Sequence, residues 1–210
     1  MEGRKRNGCK SKVELLGVVV ITVIANYRTG SSTFIKELSD STGLKYPEMC
    51  TGEYLYQQYQ EPSNDYQIYK IMPDQVQHRL YHEIFYRQYI KGADVIYLCR
   101  RNLTEQIISY INCVARDVWH PVECRNESDW FDDVSDSFDS TIDIAIDRIT
   151  DNYERQHEFY KKWPGQVLFL EDRFDENQKY PKRKLPFTEQ QLLKISSVCN
   201  NGKDLWFNNI

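Results

Sequence analysis

Six consecutive residues, Arg28-Thr29-Gly30-Ser31-Ser32-Thr33, put one permanent cation, one glycine and four hydroxyls in a single short stretch. That combination suits a tetrahedral anion. A guanidinium offers a planar fork of charged donors. A glycine permits a tight turn and the close approach of phosphate or sulfate. If a helix starts here, its free N–H groups and dipole add partial positive charge. The stretch is not a Walker A loop, because the second glycine and the lysine of GxxxxGK[ST] are missing. A reading as an ordinary NTP-hydrolysing enzyme or kinase therefore lacks its main phosphate clamp. A strand–turn–helix joint with no ligand is the plainer alternative for this segment alone. Other chemistry is thin. His78 and His82 stand four apart, but no carboxylate or cysteine completes a metal set, and no metal is expected. His120 and His157 have no evident partners.

The surrounding pattern supplies what must hold such a loop. Val13 to Ala25 is rich in Val and Ile without polar alternation, as in a strand buried on both faces of a parallel sheet. A helix is expected from about Ser32 to Ser41, with Gly43 as its C-cap. Tyr66–Met72 reads as a second strand. Asp74 is placed to cap a helix running to about Lys91, with Gly92 beyond it. Asp94–Cys99 is a third strand, followed by a helix from Asn102 to about Asp117. Ile142, Ile146, Ile149 and Tyr153 share one helical face, and that helix ends near Trp163. Val167–Leu170 is a fourth strand. Thr188 and Gln191 form a capping box for a last helix reaching about Val198. Strands alternating with helices imply an α/β fold with a mostly parallel sheet between helical layers. Residues 1–12 are expected to be a frayed segment, and 13–210 one domain, with 118–140 as a loop or lid.

With the loop set between a strand and a helix, a family likeness becomes specific. Tyr27-Arg-Thr-Gly-Ser-Ser-Thr33 resembles the 5′-phosphosulfate loop of the sulfotransferases that use 3′-phosphoadenosine 5′-phosphosulfate (PAPS). Arg101-Asn-Leu-Thr-Glu-Gln-Ile-Ile-Ser109, after the third strand, resembles the family's second motif, in which an arginine and a serine eight residues later bind the 3′-phosphate. A residue leaving a strand and one two helical turns later can approach the same groove at the carboxyl ends of the strands. Phe169-Leu-Glu-Asp172 is similar to the family's late strand ending in Glu-Asp.

The resemblance covers roughly residues 15–172 and implies a three-layer, P-loop-like α/β fold. It assigns cofactor binding to Arg28, Thr29, Gly30, Ser31, Ser32, Thr33, Arg101 and Ser109, and an electrostatic catalytic role to Arg28. Lys70, ending the second strand, matches a lysine that faces the sulfuryl group. Met72 stands where cytosolic members place a base histidine. Gly52-Glu53-Tyr54 is similar to a region of bacterial members that carries a glutamate base, so Glu53 is the expected base and Glu48 the second choice. Tyr27 and Leu103 replace family prolines. Thr33 stands where many members have an adenine-stacking tryptophan.

Composition bounds the partners. Net charge is −4, and basic residues cluster only at 4–6 and 182–184, which argues against a nucleic-acid partner. The apolar run from Leu15 to Ala25 falls short of the roughly 20 residues that span a bilayer. Six cysteines without a CxxC pair favour a reducing, cytoplasmic setting. Residues 127–158 hold eleven acidic side chains against two arginines. If they rim a cleft, polyanionic acceptors are disfavoured. The expected activity is sulfuryl transfer from PAPS to a hydroxyl or amine of a small molecule, glycan or peptide. The alternatives are a P-loop kinase and a sulfotransferase fold that binds without turnover.

Overall fold

The computed structural model describes residues 20–47, 65–76, 83, 85–116, 138–172 and 187–201. Four strands, β1 (Ile21–Ala25), β2 (Ile68–Ile71), β3 (Asp94–Cys99) and β4 (Gln166–Phe169), form one sheet in the order β2-β1-β3-β4. Every pairing is parallel. Ile24 lies opposite Ile71 on one side and Tyr97 on the other, and Leu98 lies opposite Leu168. The helices are α1 (Ser31–Thr42), α2 (Leu103–Arg116), α3 (Phe138–Lys162) and α4 (Glu189–Asn201).

Alternation along the strands divides the core in two. Ile21, Val23 and Ala25 of β1 join Ile68, Ile96 and Leu98 beneath Phe34 and Ile35 of α1. Ile24, Tyr69, Ile71, Tyr97 and Cys99 face the other way. They are covered by Leu103, Ile107, Tyr110 and Ile111 of α2, by Ile142, Ile146, Ile149 and Tyr153 of α3, and by Ile195 of α4. Helices thus lie on both faces, and every residue of β1 is buried, as its lack of polar alternation leads one to expect. Among the described residues no helix is long and apolar enough to cross a membrane. Cys99 and Cys113 are buried free thiols.

Most expected elements lie within one or two residues of their positions. Gly43 ends α1 in the left-handed conformation, its N–H donating to the Ser39 carbonyl. The Thr188–Gln191 box is present, with the Gln191 side chain accepting from the Thr188 N–H at 2.9 Å and the Thr188 hydroxyl accepting from the Gln191 N–H at 3.3 Å.

The segment after β2 differs from expectation. Asp74 sits inside a turn rather than ahead of a helix, and residues 77–82 and 84 of the helix expected after it lie outside the described residues. Pro73–Gln75 forms a single 3-10 turn, entered from an extended Met72 whose N–H donates to the Gln75 side chain. The Asp74 carboxylate is drawn to partners distant in sequence, accepting from the Tyr27 hydroxyl at 2.8 Å and from Arg148 at 3.4 Å. Further on, Tyr86–Ile90 is a π-helical turn closed by the Lys91 N–H on the Tyr86 carbonyl. Residues 1–19, including the expected frayed segment and the start of the first buried run, lie outside the described residues. So do 117–137, with most of the expected lid.

Candidate anion-binding site

From the carboxyl end of β1 the chain crosses to β2 on one side, and from the adjacent carboxyl end of β3 it proceeds to β4 on the other, so the two neighbouring strands are left in opposite directions. In an open α/β sheet this switch point is where a crevice forms. Residues 26–30 follow β1 directly and occupy it.

The loop's shape comes from hydrogen bonds made before any ligand arrives. The Asn26 side chain is buried. It donates to the Ile149 carbonyl at 2.8 Å and accepts from the Tyr27 N–H at 2.7 Å. The Thr29 hydroxyl donates to the Asn26 carbonyl at 2.8 Å. Arg28 adopts φ 58°, the one described non-glycine residue at positive φ. That conformation is costly for a side chain with a Cβ. Gly30 follows at φ 72° as the N-cap of α1. Backbone angle favours glycine here, and a Cβ on Gly30 would also have to displace the tip of the Leu170 side chain, which it would meet at 2.5 Å.

The first intrahelical bond of α1 runs from the Phe34 N–H to the Gly30 carbonyl. The N–H groups of residues 31–33 precede it, and the first turn holds no acidic side chain. It is therefore electropositive.

One cation comes from the loop itself and another from the neighbouring strand β2. The Arg28 guanidinium donates through Nε to the Ser109 hydroxyl on α2 at 3.0 Å. Lys70, on β2 and only 2 % exposed, brings its ammonium to 3.4 Å from the Ser32 hydroxyl. The fold thus joins Arg28 with Ser109 and Lys70 with Ser32, four of the residues expected from sequence. Thr29 is buried in the loop, Ser31 is buried at the start of α1, and Thr33 is exposed on the same helix. Arg101 has another partner. Its guanidinium forms a fork with both oxygens of Asp172 and lies 3.9 Å from the Phe169 ring centre. Its side chain is 48 % exposed at the rim of the same sheet edge. Glu53 and Glu48 lie outside the described residues.

A supporting layer escaped the sequence reading. Arg100 donates to the Arg28 carbonyl at 3.4 Å and to Glu105 at 2.6 Å, with Glu171 at 3.7 Å. Two carboxylates thus face this nearly buried guanidinium, which braces the loop backbone. Gln106 donates to the Tyr27 carbonyl at 2.6 Å and accepts from the Tyr153 hydroxyl at 2.7 Å. That hydroxyl also accepts the Arg100 N–H at 3.1 Å. Gln156 donates to the carbonyls of Ile24 and Leu98. Glu171 accepts the N–H groups of Arg101 and Asn102, fixing the turn into α2. The signal in the sequence was a polar residue on an apolar helix stripe. Gln106 falls between Leu103 and Tyr110, and Gln156 between Tyr153 and Phe159.

Burial and the neighbouring Asp74 carboxylate hold the Tyr27 phenol far above its ordinary range, so it stays neutral and donates. Burial, then the nearby Glu171 charge, likewise raises the Cys99 thiol, so it is a packing residue and no nucleophile. Among the described residues no group of three or more His, Cys, Asp or Glu side chains is placed to hold a metal.

Comparison with protein-family models gives no match, and comparison with curated proteins gives none either.

Proposed function

We propose that the protein is a PAPS-dependent sulfotransferase of the P-loop-like class. The observation that carries the reading is the Arg28–Ser109 hydrogen bond. It ties the loop after β1 to the helix after β3, the two segments whose motifs resemble the sulfotransferase phosphate sites. One nucleotide with phosphates at both its 5′ and 3′ positions has a use for two such neighbouring sites.

In this reading the α1 N–H groups, Ser31, Ser32 and Thr33 hold the 5′-phosphosulfate. Arg28 and Lys70 lie on either side of it. An acceptor oxygen or nitrogen attacks the sulfur in line, and the bond from sulfur to the 5′-phosphate oxygen breaks. The electron pair stays on that phosphate, as adenosine 3′,5′-bisphosphate. Arg28 and Lys70 counter the charge growing there, and because an arginine keeps its proton the role of Arg28 is electrostatic. The acceptor's proton passes to a base, for which Glu53 is the candidate. Ser109 receives the 3′-phosphate. Arg101 can join it by exchanging Asp172 for the phosphate.

Lys70 beside Ser32 also keeps a nucleotide kinase in view, since it brings an ammonium to the loop from a neighbouring strand. Titration calorimetry separates the two. Adenosine 3′,5′-bisphosphate should bind without magnesium and more tightly than ATP–magnesium. Tighter binding of ATP–magnesium would replace this reading with the kinase. Incubation with labelled PAPS and a panel of alcohols, amines, sugars and tyrosyl peptides then tests transfer. If bisphosphate binds but no acceptor is modified, a non-catalytic binding protein is the better description.

A further inference from the structure

Tyr27 is gripped through both its backbone and its side chain. Its N–H donates to the Asn26 side chain at 2.7 Å, and its carbonyl accepts from Gln106 at 2.6 Å. Its ring meets the Tyr110 ring edge-on, with 5.3 Å between centres, and the Arg148 guanidinium lies 5.0 Å from the centre of the Tyr27 ring. Its hydroxyl donates to Asp74 at 2.8 Å. Apart from Asn26, these partners come from α2, α3 and the turn after β2. The next residue is Arg28, at φ 58°. A side chain held in that region of backbone space persists only where its surroundings over-determine it. On the far side the Thr29 hydroxyl is fixed to the Asn26 carbonyl, so the strained residue stands between two anchored neighbours.

The grip on Asp74 is the unfavourable one to build. The Asp74 side chain is 15 % exposed, its Oδ1 atom is buried without a hydrogen-bond partner, and Arg148 reaches Oδ2 at 3.4 Å. Sinking a carboxylate this far with one oxygen unused costs stability. In return the phenol, kept neutral by burial and by the same carboxylate, donates to a charged acceptor, and such a bond is stronger than one between neutral groups. The bond spans 47 residues of chain and ties the segment leaving β1 to the segment leaving β2. Each of these segments adjoins a cation of the site: Tyr27 directly precedes Arg28, and Asp74 follows Lys70 by four residues. An apolar pair would fill the same space without a buried charge, but it would not hold the two segments in one relative placement.

We infer that Tyr27 is a positioning residue: through its hydroxyl on Asp74 it locks the Arg28 turn to the segment leaving β2, and so holds that turn in the shape that receives an anion. It acts through Arg28 and the start of α1 and not by contact with the ligand. The inference rests on the anion-site part of the proposed function, whichever anion binds there, and does not require sulfuryl transfer.

The test is titration calorimetry on the full chain, with adenosine 3′,5′-bisphosphate and inorganic pyrophosphate as probes, beside melting temperatures of the same samples. Tyr27→Phe keeps the ring and loses the hydroxyl. It should weaken whichever of the two anions the unaltered chain binds by about fivefold or more. Asp74→Ala should do the same, and the double variant should bind no more weakly than either single one, as one shared bond requires. Asp74→Asn keeps an oxygen acceptor for the phenol and should recover most of the affinity lost with alanine, even at a lower melting temperature. Tyr97→Phe is the control for stability alone. It loses a phenol bond of similar length, to the Trp163 carbonyl at 2.7 Å, and should lower the melting temperature without changing affinity. Unchanged affinity in folded Tyr27→Phe or Asp74→Ala, losses that add in the double variant, no recovery with asparagine, or an equal loss in Tyr97→Phe would each overturn the inference. Pyrophosphate binding that responds to these variants, without bisphosphate binding, sinks only the sulfotransferase reading. Bisphosphate binding indifferent to them sinks only this inference, and a chain that binds neither anion sinks both.

Discussion

Arg28 and Ser109, 81 residues apart in the chain, meet through a 3.0 Å hydrogen bond from the guanidinium Nε to the hydroxyl. The bond aims a charged side chain from a strained backbone position across the crevice between two segments. Replacing Arg28 with alanine should abolish sulfuryl transfer and weaken bisphosphate binding at least tenfold by calorimetry. Ser109→Ala should weaken binding only several-fold, because it removes a neutral partner and leaves the charge.

Arg28 sits at φ 58°, so its side chain comes at a conformational cost that glycine would not carry. Arg28→Gly should raise stability to chemical denaturation by about 1 kcal/mol while losing anion binding. A variant both more stable and inactive would mark the residue as one kept for chemistry rather than for folding. Lower stability would show that the hydrogen bond to Ser109 outweighs the strain.

Gly30→Ala combines a positive φ with a Cβ placed 2.5 Å from Leu170. A loss of about 1–3 kcal/mol is expected. Adding Leu170→Ala should recover the steric part and not the backbone part. Denaturant melts of the single and double variants separate the two contributions.

Tyr153 gives its hydroxyl proton to Gln106 and takes one from the Arg100 N–H. Tyr153→Phe leaves both groups short of a partner inside the protein and should cost about 1–3 kcal/mol. Because Gln106 holds the Tyr27 carbonyl, bisphosphate affinity should also fall, although Tyr153 touches no ligand.

The fork from Arg101 lowers the Asp172 carboxyl below its usual range, chiefly through hydrogen bonding. A carboxyl whose pKa is depressed in the fold adds stability above its unfolded pKa, and that contribution disappears as pH falls through the folded value. Asp172→Asn should therefore flatten the acid side of a plot of melting temperature against pH, below about pH 4. The effect should be small, since the pair faces solvent. The same change removes a negative charge that competes for Arg101, so bisphosphate should bind several-fold more tightly at neutral pH.

Local pattern carried the fold a long way. The Val- and Ile-rich stretch before Ala25, without polar alternation, reported a strand enclosed on both sides, and the four-residue spacing of Ile142, Ile146 and Tyr153 with Ile149 reported the buried face of α3. Gly30 and the hydroxyls beside it marked the turn, because backbone freedom and residue type act locally there. What spacing could not reveal was partner choice. Asp74 reads as a helix cap beside Pro73, but Tyr27 and Arg148 compete for its carboxylate from elsewhere in the chain and take it. Arg100 and Arg101 are adjacent in sequence, yet one braces the Arg28 carbonyl and the other pairs with Asp172. The third dimension decides such competition, and a linear motif holds no record of it.

The carbonyls of Ile24 and Ile149 are held by side chains from across the molecule, Gln156 and Asn26. The turn between them is thus finished only when the 25-residue helix α3 has docked. Chains cut short before that helix could still pair β1 with β2 and β3, but would leave the Arg28 turn unshaped. Recognition of an anion should accordingly emerge late in folding, after more than two thirds of the polypeptide has been made, and no fragment ending before residue 149 should possess it.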